Sequence, residues 1–268
     1  MKILNGRELA EFIQERQAPA VRALRQAHGI APKLAIIKTK DDPVIDTYMK
    51  LKKRYGGDIG IEVQIFDIKQ SEAEQTISQL NEDSSVHGII VQLPLDDPSQ
   101  TDRIVGLVSP AKDVDALGEQ AKFDPATPTA ILWLLAGYNV DLKGKNILLI
   151  GKGKLVGAPL QKMLLSMGHK VTVADRTTDD LSALTLQADI IVTATGRPAI
   201  LYPDMIKQKA VVVDAGVASE DGKTVGDVAS DVYLREDLTI TPVKGGVGPL
   251  TVCALFENVI TAARRTAS

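Results

Sequence analysis

The chain has 268 residues, of which 44% are hydrophobic and 24% charged, so it can bury a sizeable core and is long enough for two domains. A formal net charge of -3, with basic residues spread along the chain, gives no reason to expect a nucleic-acid partner. No apolar run approaches the length that crosses a bilayer, and charge appears too early in the N-terminal segment for a signal peptide, so we expect a cytoplasmic protein without membrane association.

Cysteine and histidine are too sparse to build a metal centre. Cys253 is the single cysteine, which excludes an internal disulfide and a cysteine-based metal cluster. The three histidines are scattered without ligand spacing, so no metal site is expected.

The first half of the chain alternates between helical and strand patterns. An amphipathic helical pattern over residues 8–28 is interrupted at Pro19, where proline removes a backbone donor. Later helices are predicted over 45–55, closed at or shortly after Gly56 and Gly57, and over 71–80. Strands are predicted at 33–37, 62–68 and 88–93. This alternation predicts an open, mostly parallel α/β unit.

A second α/β unit follows the Pro-rich segment 125–128 and a helix over 129–136. Its strands are predicted at 146–150, 170–174, 189–194 and 210–214, and a helix over 249–265 closes the chain and is expected to pack back across the first domain. The pattern predicts two α/β domains, the second of the Rossmann type, with a cleft between them. We place the first at residues 1–137, completed by the C-terminal helix within 249–268, and the second at 138–248.

A glycine-rich turn connects the first strand of the second domain to a helix. Glycines at 151, 153 and 157 let the backbone bend and approach a ligand, while the helix that follows directs N–H groups and its positive dipole end at a phosphate. The next strand ends at Asp175, about where such units place a ribose-facing side chain. An ordinary glycine-rich turn is the alternative for the string alone, but its context favours a dinucleotide site.

Polar residues in the first domain suggest a second site. Tyr48 and Lys52 lie four apart on a predicted helix and share one face, although a cation-rich surface helix is the alternative. Gln92 lies inside an otherwise apolar strand, so its amide needs a partner or points into a cleft at the carboxyl end. The segment 112–115, Lys-Asp-Val-Asp, could be only a charged turn. The loop 241–251, with three glycines and two prolines before a helix, is expected to face a ligand.

Taken together and in this order, these motifs resemble the bifunctional methylenetetrahydrofolate dehydrogenase/methenyltetrahydrofolate cyclohydrolase family. The resemblance extends over more than 200 residues. Its motifs are Tyr48-x3-Lys52 with Gly60-Ile61, the strand end 91–95, the segments 110–115 and 125–128, the turn 151–159 and the loop 241–251, whose Gly-Gly-Val-Gly-Pro is the most specific.

The resemblance implies a role for each residue of the first site. Lys52 would be the acid-base residue of the cyclohydrolase step, in which water opens the methenyl ring to 10-formyltetrahydrofolate, and partial desolvation would lower its pKa for that work. Gln92 would orient Lys52, Tyr48 would pack on or hydrogen-bond the folate, and Asp115 would accept hydrogen bonds from the pterin. The implied folate-binding set also includes Leu93, Pro94, Gly246 and Pro249.

The cofactor choice depends on charges near the second strand of the nucleotide-binding domain. Asp175 favours a ribose hydroxyl and hence NAD, whereas Lys152 and Arg176 occupy the positions where the family holds the 2'-phosphate of NADP. We expect NADP, with NAD as the alternative. The implied cofactor set is Gly151, Lys152, Gly153, Val156, Gly157, Pro159, Asp175, Arg176, Thr195, Gly216 and Val217.

Several positions depart from the family pattern. Ile45 replaces a serine near Lys52, which bears on the cyclohydrolase rate, and Ala116 replaces a glycine and should require a negative φ. Ala126 and Lys244 replace a cysteine and a proline. The alternatives to the bifunctional enzyme are therefore a monofunctional dehydrogenase and a nucleotide-binding regulatory module without turnover. The resemblance also implies a homodimer.

Overall fold

The computed structural model describes residues 1–220 and 223–267 and divides into two compact units. Unit 1 contains Met1–Ala10 and Thr127–Thr251, and unit 2 contains Glu11–Ala126 and Val252–Ser268. Two helices, α1 (Gly6–His28) and α8 (Val247–Arg265), each begin in unit 1 and end in unit 2.

Unit 2 is built on a parallel sheet of three strands in the order β3-β2-β4. The central strand is apolar except at its ends, and its residues Ala35 and Ile37 pack with side chains of β4 and of helix α3 in one buried cluster. The chain moves to one side of β2 to form β3 and then returns to the other side to form β4. The elements are β2 (Lys33–Lys38), α2 (Pro43–Ile59), β3 (Glu62–Asp67), α3 (Ala73–Glu82), β4 (Gly88–Val91) and α4 (Thr101–Val105).

Helix α2 has clear signals at both ends. The carboxylate of Asp42 accepts hydrogen bonds from the backbone N–H groups of Val44 (2.8 Å) and Ile45 (3.3 Å), and Pro43 occupies the first turn. The helix runs through Gly56 and Gly57 and ends at a left-handed Gly60 with φ of 86°.

Proline does not interrupt α1, which is continuous from Gly6 to His28 with Pro19 inside it. The predicted interruption is therefore wrong. Pro19 and Glu15 are both exposed, so water can satisfy the carbonyl that proline leaves without a helical partner.

Unit 1 contains a six-stranded sheet in the order β1-β11-β8-β7-β5-β6, with every pairing parallel. After β5 the chain forms β6 on one side and then crosses to β7 on the other, which makes the carboxyl end of β5 a topological switch point. The elements are β1 (Lys2–Ile3), α5 (Ala126–Gly137), β5 (Ile147–Ile150), α6 (Gly157–Ser166), β6 (Val171–Ala174), α7 (Leu181–Gln187), β7 (Ile190–Thr193), β8 (Val211–Asp214), the antiparallel pair β9 (Ala218–Glu220) and β10 (Lys223–Val225), and β11 (Thr239–Ile240).

The two parallel α/β units confirm the predicted fold class. The short strands β1 and β11, at one side of the six-stranded sheet, and the β9–β10 pair were not predicted, because two or three residues carry too little periodicity to be recognised. In unit 2, the C-terminal part of α8 is anchored by Asn258, whose side-chain amide donates to the carbonyls of Val114 and Asp124, both at 2.9 Å. In the part of the chain that the structure describes, no helix has the length and apolar character of a membrane span.

Two neighbouring glycines of α2 allow a test of how closely this helix packs against Val63 of β3 and Phe256 of α8. A Cβ on Gly56 would lie 2.5 Å from Val63 Cγ2 and 3.1 Å from the ring of Phe256, whereas a Cβ on Gly57 would meet nothing within 4 Å. We expect Gly56→Ala to lower the free energy of unfolding by about 1–3 kcal/mol through overpacking. The control Gly57→Ala should raise it by about 0.5–1 kcal/mol, because alanine favours the helix. Urea unfolding measures both, and a Gly56→Ala protein as stable as the wild type would contradict this packing.

Candidate active site

In unit 2, a hydrogen bond joins helix α2 to the end of strand β4. Lys52 Nζ donates to Gln92 Oε1 at 2.9 Å, and Gln92 Nε2 donates to the carbonyl of Leu93 at 2.9 Å. Because the amide nitrogen is used by Leu93, the amide oxygen faces the lysine. Gln92 was predicted inside the strand, but β4 ends at Val91 and Gln92 is the next residue, with its N–H still bonded to the carbonyl of Ile37. The glutamine therefore extends from the carboxyl end of the sheet and fixes the amine.

The electrostatics of Lys52 favour the loss of its proton. Burial lowers the pKa of Lys52 below its ordinary value, and the nearby Asp115 carboxylate opposes this shift without reversing it. Burial also raises the pKa of the Asp115 carboxyl, while Lys52 acts to lower it. A poorly hydrated amine next to a poorly hydrated carboxyl can accept or donate a proton more readily than an exposed lysine can.

The predicted aromatic residue lies one helical turn before the amine. Tyr48 is 40% exposed, and its spacing from Lys52 places both side chains on one face of α2. Leu93 is half-buried and Pro94 is exposed, directly after Gln92. Exposed ring and pyrrolidine surfaces beside a fixed amine provide room for a flat ligand.

The loop that carries Asp115 is held by its own neighbours. The Asp113 carboxylate is buried and accepts hydrogen bonds from the backbone N–H groups of Leu117 (3.3 Å) and Gly118 (2.8 Å). Lys112 Nζ donates to the carbonyls of Leu80 and Asp83. Two of the charges in this segment thus organise the loop, while the charge of Asp115 acts on Lys52.

Ala116 follows Asp115 with a φ of 56°, in the left-handed region. The expectation of a negative φ for this alanine is wrong. The hydrogen bonds of Asp113 and the bond from Ala116 N–H to the Asp113 carbonyl (3.2 Å) hold the turn. The left-handed conformation costs an L-residue about 1–2 kcal/mol. The hydrogen bonds of the loop therefore offset an unfavourable backbone conformation at Ala116.

Sequence reasoning missed a buried cation next to this region. Lys38 ends β2, and its Nζ contacts the carboxylates of Asp41 (2.8 Å), Asp46 (3.1 Å) and Asp67 (3.1 Å). These contacts raise its pKa and fasten the first turn of α2 to the ends of β2 and β3. The sequence feature that could have identified Lys38 is the one that identified Gln92: a polar residue at the carboxyl end of an apolar strand.

In unit 1, the glycine-rich turn has the shape of a phosphate cradle. Gly151 has a φ of 106°, and a Cβ there would lie 2.6 Å from the carbonyl oxygen of Ala194. A Cβ on Gly157 would overlap the carbonyl of Gly151, while a Cβ on Gly153 would meet nothing within 4 Å. Two of the three glycines are therefore required by close backbone approach, and α6 begins at the third with its N–H groups at the turn. The donor set and the space fit a dinucleotide pyrophosphate.

The carboxylate of Asp175 is used by its own turn. Its Oδ1 accepts hydrogen bonds from the backbone N–H (2.9 Å) and the hydroxyl (2.6 Å) of Thr177. These bonds lower the pKa of Asp175, and the charge of Lys152 acts in the same direction. Arg176 and Lys152 are exposed. The carboxylate is thus less available to a ribose than the sequence suggested, and two cations lie at the same end of the sheet.

The remaining predicted cofactor and folate residues also belong to unit 1. Thr195 follows β7, and Gly216 and Val217 follow β8, with Val217 57% exposed. Val156 precedes α6 and Pro159 lies in its first turn. Gly246 is buried at the end of the loop 241–246, and Pro249 lies in the first turn of α8. Gly246 and Pro249 therefore belong to a different unit from Lys52 and Asp115.

Two family models together match nearly the whole chain. The model described as tetrahydrofolate dehydrogenase/cyclohydrolase, catalytic domain, matches residues 4–115, and the model described as tetrahydrofolate dehydrogenase/cyclohydrolase, NAD(P)-binding domain, matches residues 125–267. The chain belongs to the tetrahydrofolate dehydrogenase/cyclohydrolase family. The first match contains all four residues of the amine site, and the second contains the glycine-rich turn.

Individual relatives agree with this family assignment. The protein named Bifunctional protein FolD from a Nitratiruptor species is 38% identical over 278 residues, which cover 99% of this chain and 99% of the relative. The crystal structure of the bifunctional enzyme FolD from Campylobacter jejuni has a TM-score of 0.93 and 38% identity, covering 99% of each chain. The structure of FolD from Trypanosoma brucei, complexed with NADP cofactor and inhibitor, has a TM-score of 0.92 and 30% identity, covering 98% of this chain and 97% of that one. The resemblance found in the sequence is confirmed.

Proposed function

We propose that this chain is a cytoplasmic, NADP-dependent methylenetetrahydrofolate dehydrogenase and methenyltetrahydrofolate cyclohydrolase. The observation that carries the proposal is the Lys52–Gln92 hydrogen bond beside Asp115, in a chain whose family and full-length relatives combine the two activities. Residues 1–137, with the C-terminal helix within 249–268, bind the folate in this proposal, and residues 138–248 bind the cofactor.

The cyclohydrolase step uses Lys52 as base and then as acid. Water adds to the methenyl carbon while the neutral Lys52 amine takes a proton from it, and the same proton then passes to the ring nitrogen whose bond to that carbon breaks. The products are 10-formyltetrahydrofolate and one released proton. Gln92 accepts a hydrogen bond from one N–H of the amine, which leaves the nitrogen lone pair free for the water.

The residues around the Lys52 amine position the substrate. Asp115 accepts hydrogen bonds from the N–H edge of the pterin, and Tyr48 packs against its ring. Leu93, Pro94, Gly246 and Pro249 complete the proposed folate set. Ile45 is buried, so the hydroxyl that the family usually has at this position is replaced by apolar packing without loss of the amine or its glutamine.

The dehydrogenase step depends on how the folate is oriented relative to the cofactor. Oxidised NADP, when bound, would supply the hydride acceptor for the methylene carbon, and the protein would fix the distance and the face of transfer. Gly151 and Gly157 would hold the pyrophosphate at the start of α6, with Gly153, Val156 and Pro159 around it. Lys152 and Arg176 would bind the 2'-phosphate, and Thr195, Gly216 and Val217 would lie along the nicotinamide half.

We also propose a homodimer, which the family resemblance supports. Light scattering on the purified chain tests this, and a mass equal to a single chain would contradict it.

Replacement of the amine should separate the two activities. In Lys52→Met the methylene chain is kept and the proton carrier is lost, so enzyme-accelerated decay of methenyltetrahydrofolate should fall by about 10²–10⁴-fold. Reduction of NADP with 5,10-methylenetetrahydrofolate should fall by less than about tenfold, because hydride transfer does not use the amine. Spectrophotometry follows both reactions, and Lys53→Met, an exposed lysine on the same helix, is the matched control.

Three results would change the assignment. A wild-type protein that reduces NADP without accelerating methenyl decay is a monofunctional dehydrogenase. Methenyl decay that survives in Lys52→Met assigns the base to another residue. Binding of NADP without turnover of either folate would establish the regulatory module.

The cofactor preference can be tested on the two cations. Lys152→Ala and Arg176→Ala should each raise the KM for NADP by roughly tenfold and leave the KM for NAD nearly unchanged, since each removes a charge-assisted contact to the 2'-phosphate alone. Lys162→Ala, an exposed lysine on α6, is the control. Equal losses with NADP and NAD would show that these cations do not read the 2'-phosphate.

A further inference from the structure

A buried carboxylate, Asp227, and a half-buried one, Asp214, lie at the carboxyl end of the unit 1 sheet and have no role in the chemistry described above. Asp227 is fully buried in the segment after β10. Its Oδ2 accepts a hydrogen bond from the backbone N–H of Thr195 (2.7 Å), and its Oδ1 accepts one from the backbone N–H of Arg197 (3.0 Å). One side chain therefore holds the whole turn that follows β7.

Asp214, the last residue of β8, connects three neighbouring segments. Its Oδ1 accepts hydrogen bonds from the Thr193 hydroxyl (3.0 Å) and from the backbone N–H groups of Gly216 (3.0 Å) and Asp227 (3.1 Å). Its Oδ2 accepts one from the backbone N–H of Val228 (3.1 Å). The end of β7, the turn after β8 and the segment that carries Asp227 are thus held by a single carboxylate.

Close packing leaves these carboxylates little freedom. A Cβ on Gly216 would overlap the Asp227 carboxylate, and a Cβ on Gly226 would overlap that of Asp214. Backbone N–H dipoles point at both carboxylates and offset their charge. Burial raises the pKa of Asp227, and the charge of Asp214 adds to that shift.

The same network reaches the loop that leads to α8. The backbone N–H of Asp214 donates to the Thr241 hydroxyl at 2.9 Å, and Thr241 is fully buried. A Cβ on Gly246 would lie 3.0 Å from Thr241 Cβ, so this threonine sets how closely the loop folds against the end of the sheet.

These turns are where a dinucleotide would be bound. They follow β7 and β8 on the carboxyl side of a parallel sheet, beside the glycine-rich turn after β5 at the switch point. We propose that Asp214 and Asp227 are positioning residues of the cofactor site, which fix the backbone of the turns carrying Thr195, Gly216 and Val217 without touching the cofactor. This inference rests on the proposed dehydrogenase function.

The test uses the second activity of the chain as its control. In Asp227→Asn one oxygen acceptor becomes an N–H₂ donor facing a backbone N–H, so the turn at Thr195 loosens. We expect the Kd and KM for NADP to rise by roughly tenfold or more, with a matching loss of NADP-induced thermal stabilisation. Cyclohydrolase activity without cofactor should stay within about twofold of the wild type, because Lys52, Gln92 and Asp115 lie in unit 2 and none of them contacts Asp227.

Asp189→Asn is the matched control, since Asp189 precedes β7 at the opposite end of the same sheet and contacts Asn146 and Lys207. It should leave the Kd for NADP unchanged. An Asp227→Asn protein that retains wild-type NADP affinity would overturn the proposal, whereas a wild-type chain without dehydrogenase activity would overturn the proposed function instead.

If the Asp227→Asn protein fails to fold, a milder variant tests the same proposal. Thr241→Val removes the hydroxyl that accepts the Asp214 N–H while keeping the side-chain shape, and it should raise the Kd for NADP several-fold, by roughly three to ten times. Unchanged NADP affinity in a folded Thr241→Val protein would also overturn the proposal.

Discussion

Parallel pairing of strands is the constraint on which both sites depend. Because strands in a parallel sheet share one direction, their carboxyl ends meet at one edge, where the backbone no longer pairs and side chains can face a ligand. In unit 2 this edge carries Lys38 and Gln92, and in unit 1 it carries the glycine-rich turn, Asp214 and Asp227. The apolar strands hold the sheet together, and the polar side chains and turns at their carboxyl ends form the candidate sites.

The amine of Lys52 shows how the fold tunes a reactive group. A lysine on a surface helix stays protonated at neutral pH, but α2 places this one where burial disfavours the charged form and Gln92 fixes its direction. The charge of Asp115 limits this lowering of the Lys52 pKa, and in the proposed mechanism the same amine therefore also returns a proton. The contacts of Lys38 act on the other end of α2 and hold its first turn against the sheet.

Much of this could be predicted from the sequence, because long periodic segments and glycine turns carry local signals. The parallel α/β units, the shared face of Tyr48 and Lys52 and the glycine-rich turn before α6 all follow from residue spacing. The continuity of α1 through Pro19 and the left-handed Ala116 do not, since solvent access at Pro19 and the hydrogen bonds of the Asp113 carboxylate around Ala116 override the local preference of these residues. Asp227 could not be recognised for a different reason, because its hydrogen-bond partners lie about thirty residues earlier in the sequence.

The pH dependence of methenyltetrahydrofolate ring opening at saturating substrate, corrected for the uncatalysed rate, tests the role of Lys52 most directly. In the proposed mechanism the neutral amine of Lys52 is the base, so the rate should rise with pH, and the rising limb of the pH–rate profile should be centred below the ordinary lysine pKa of 10.5. Asp115→Asn removes a carboxylate that raises the pKa of Lys52, so the limb should move to lower pH, while Glu119→Gln, an exposed carboxylate nearby in sequence, should leave it in place. A wild-type rising limb centred at or above pH 10.5 would contradict the account. So would a rising limb that moves to higher pH in Asp115→Asn.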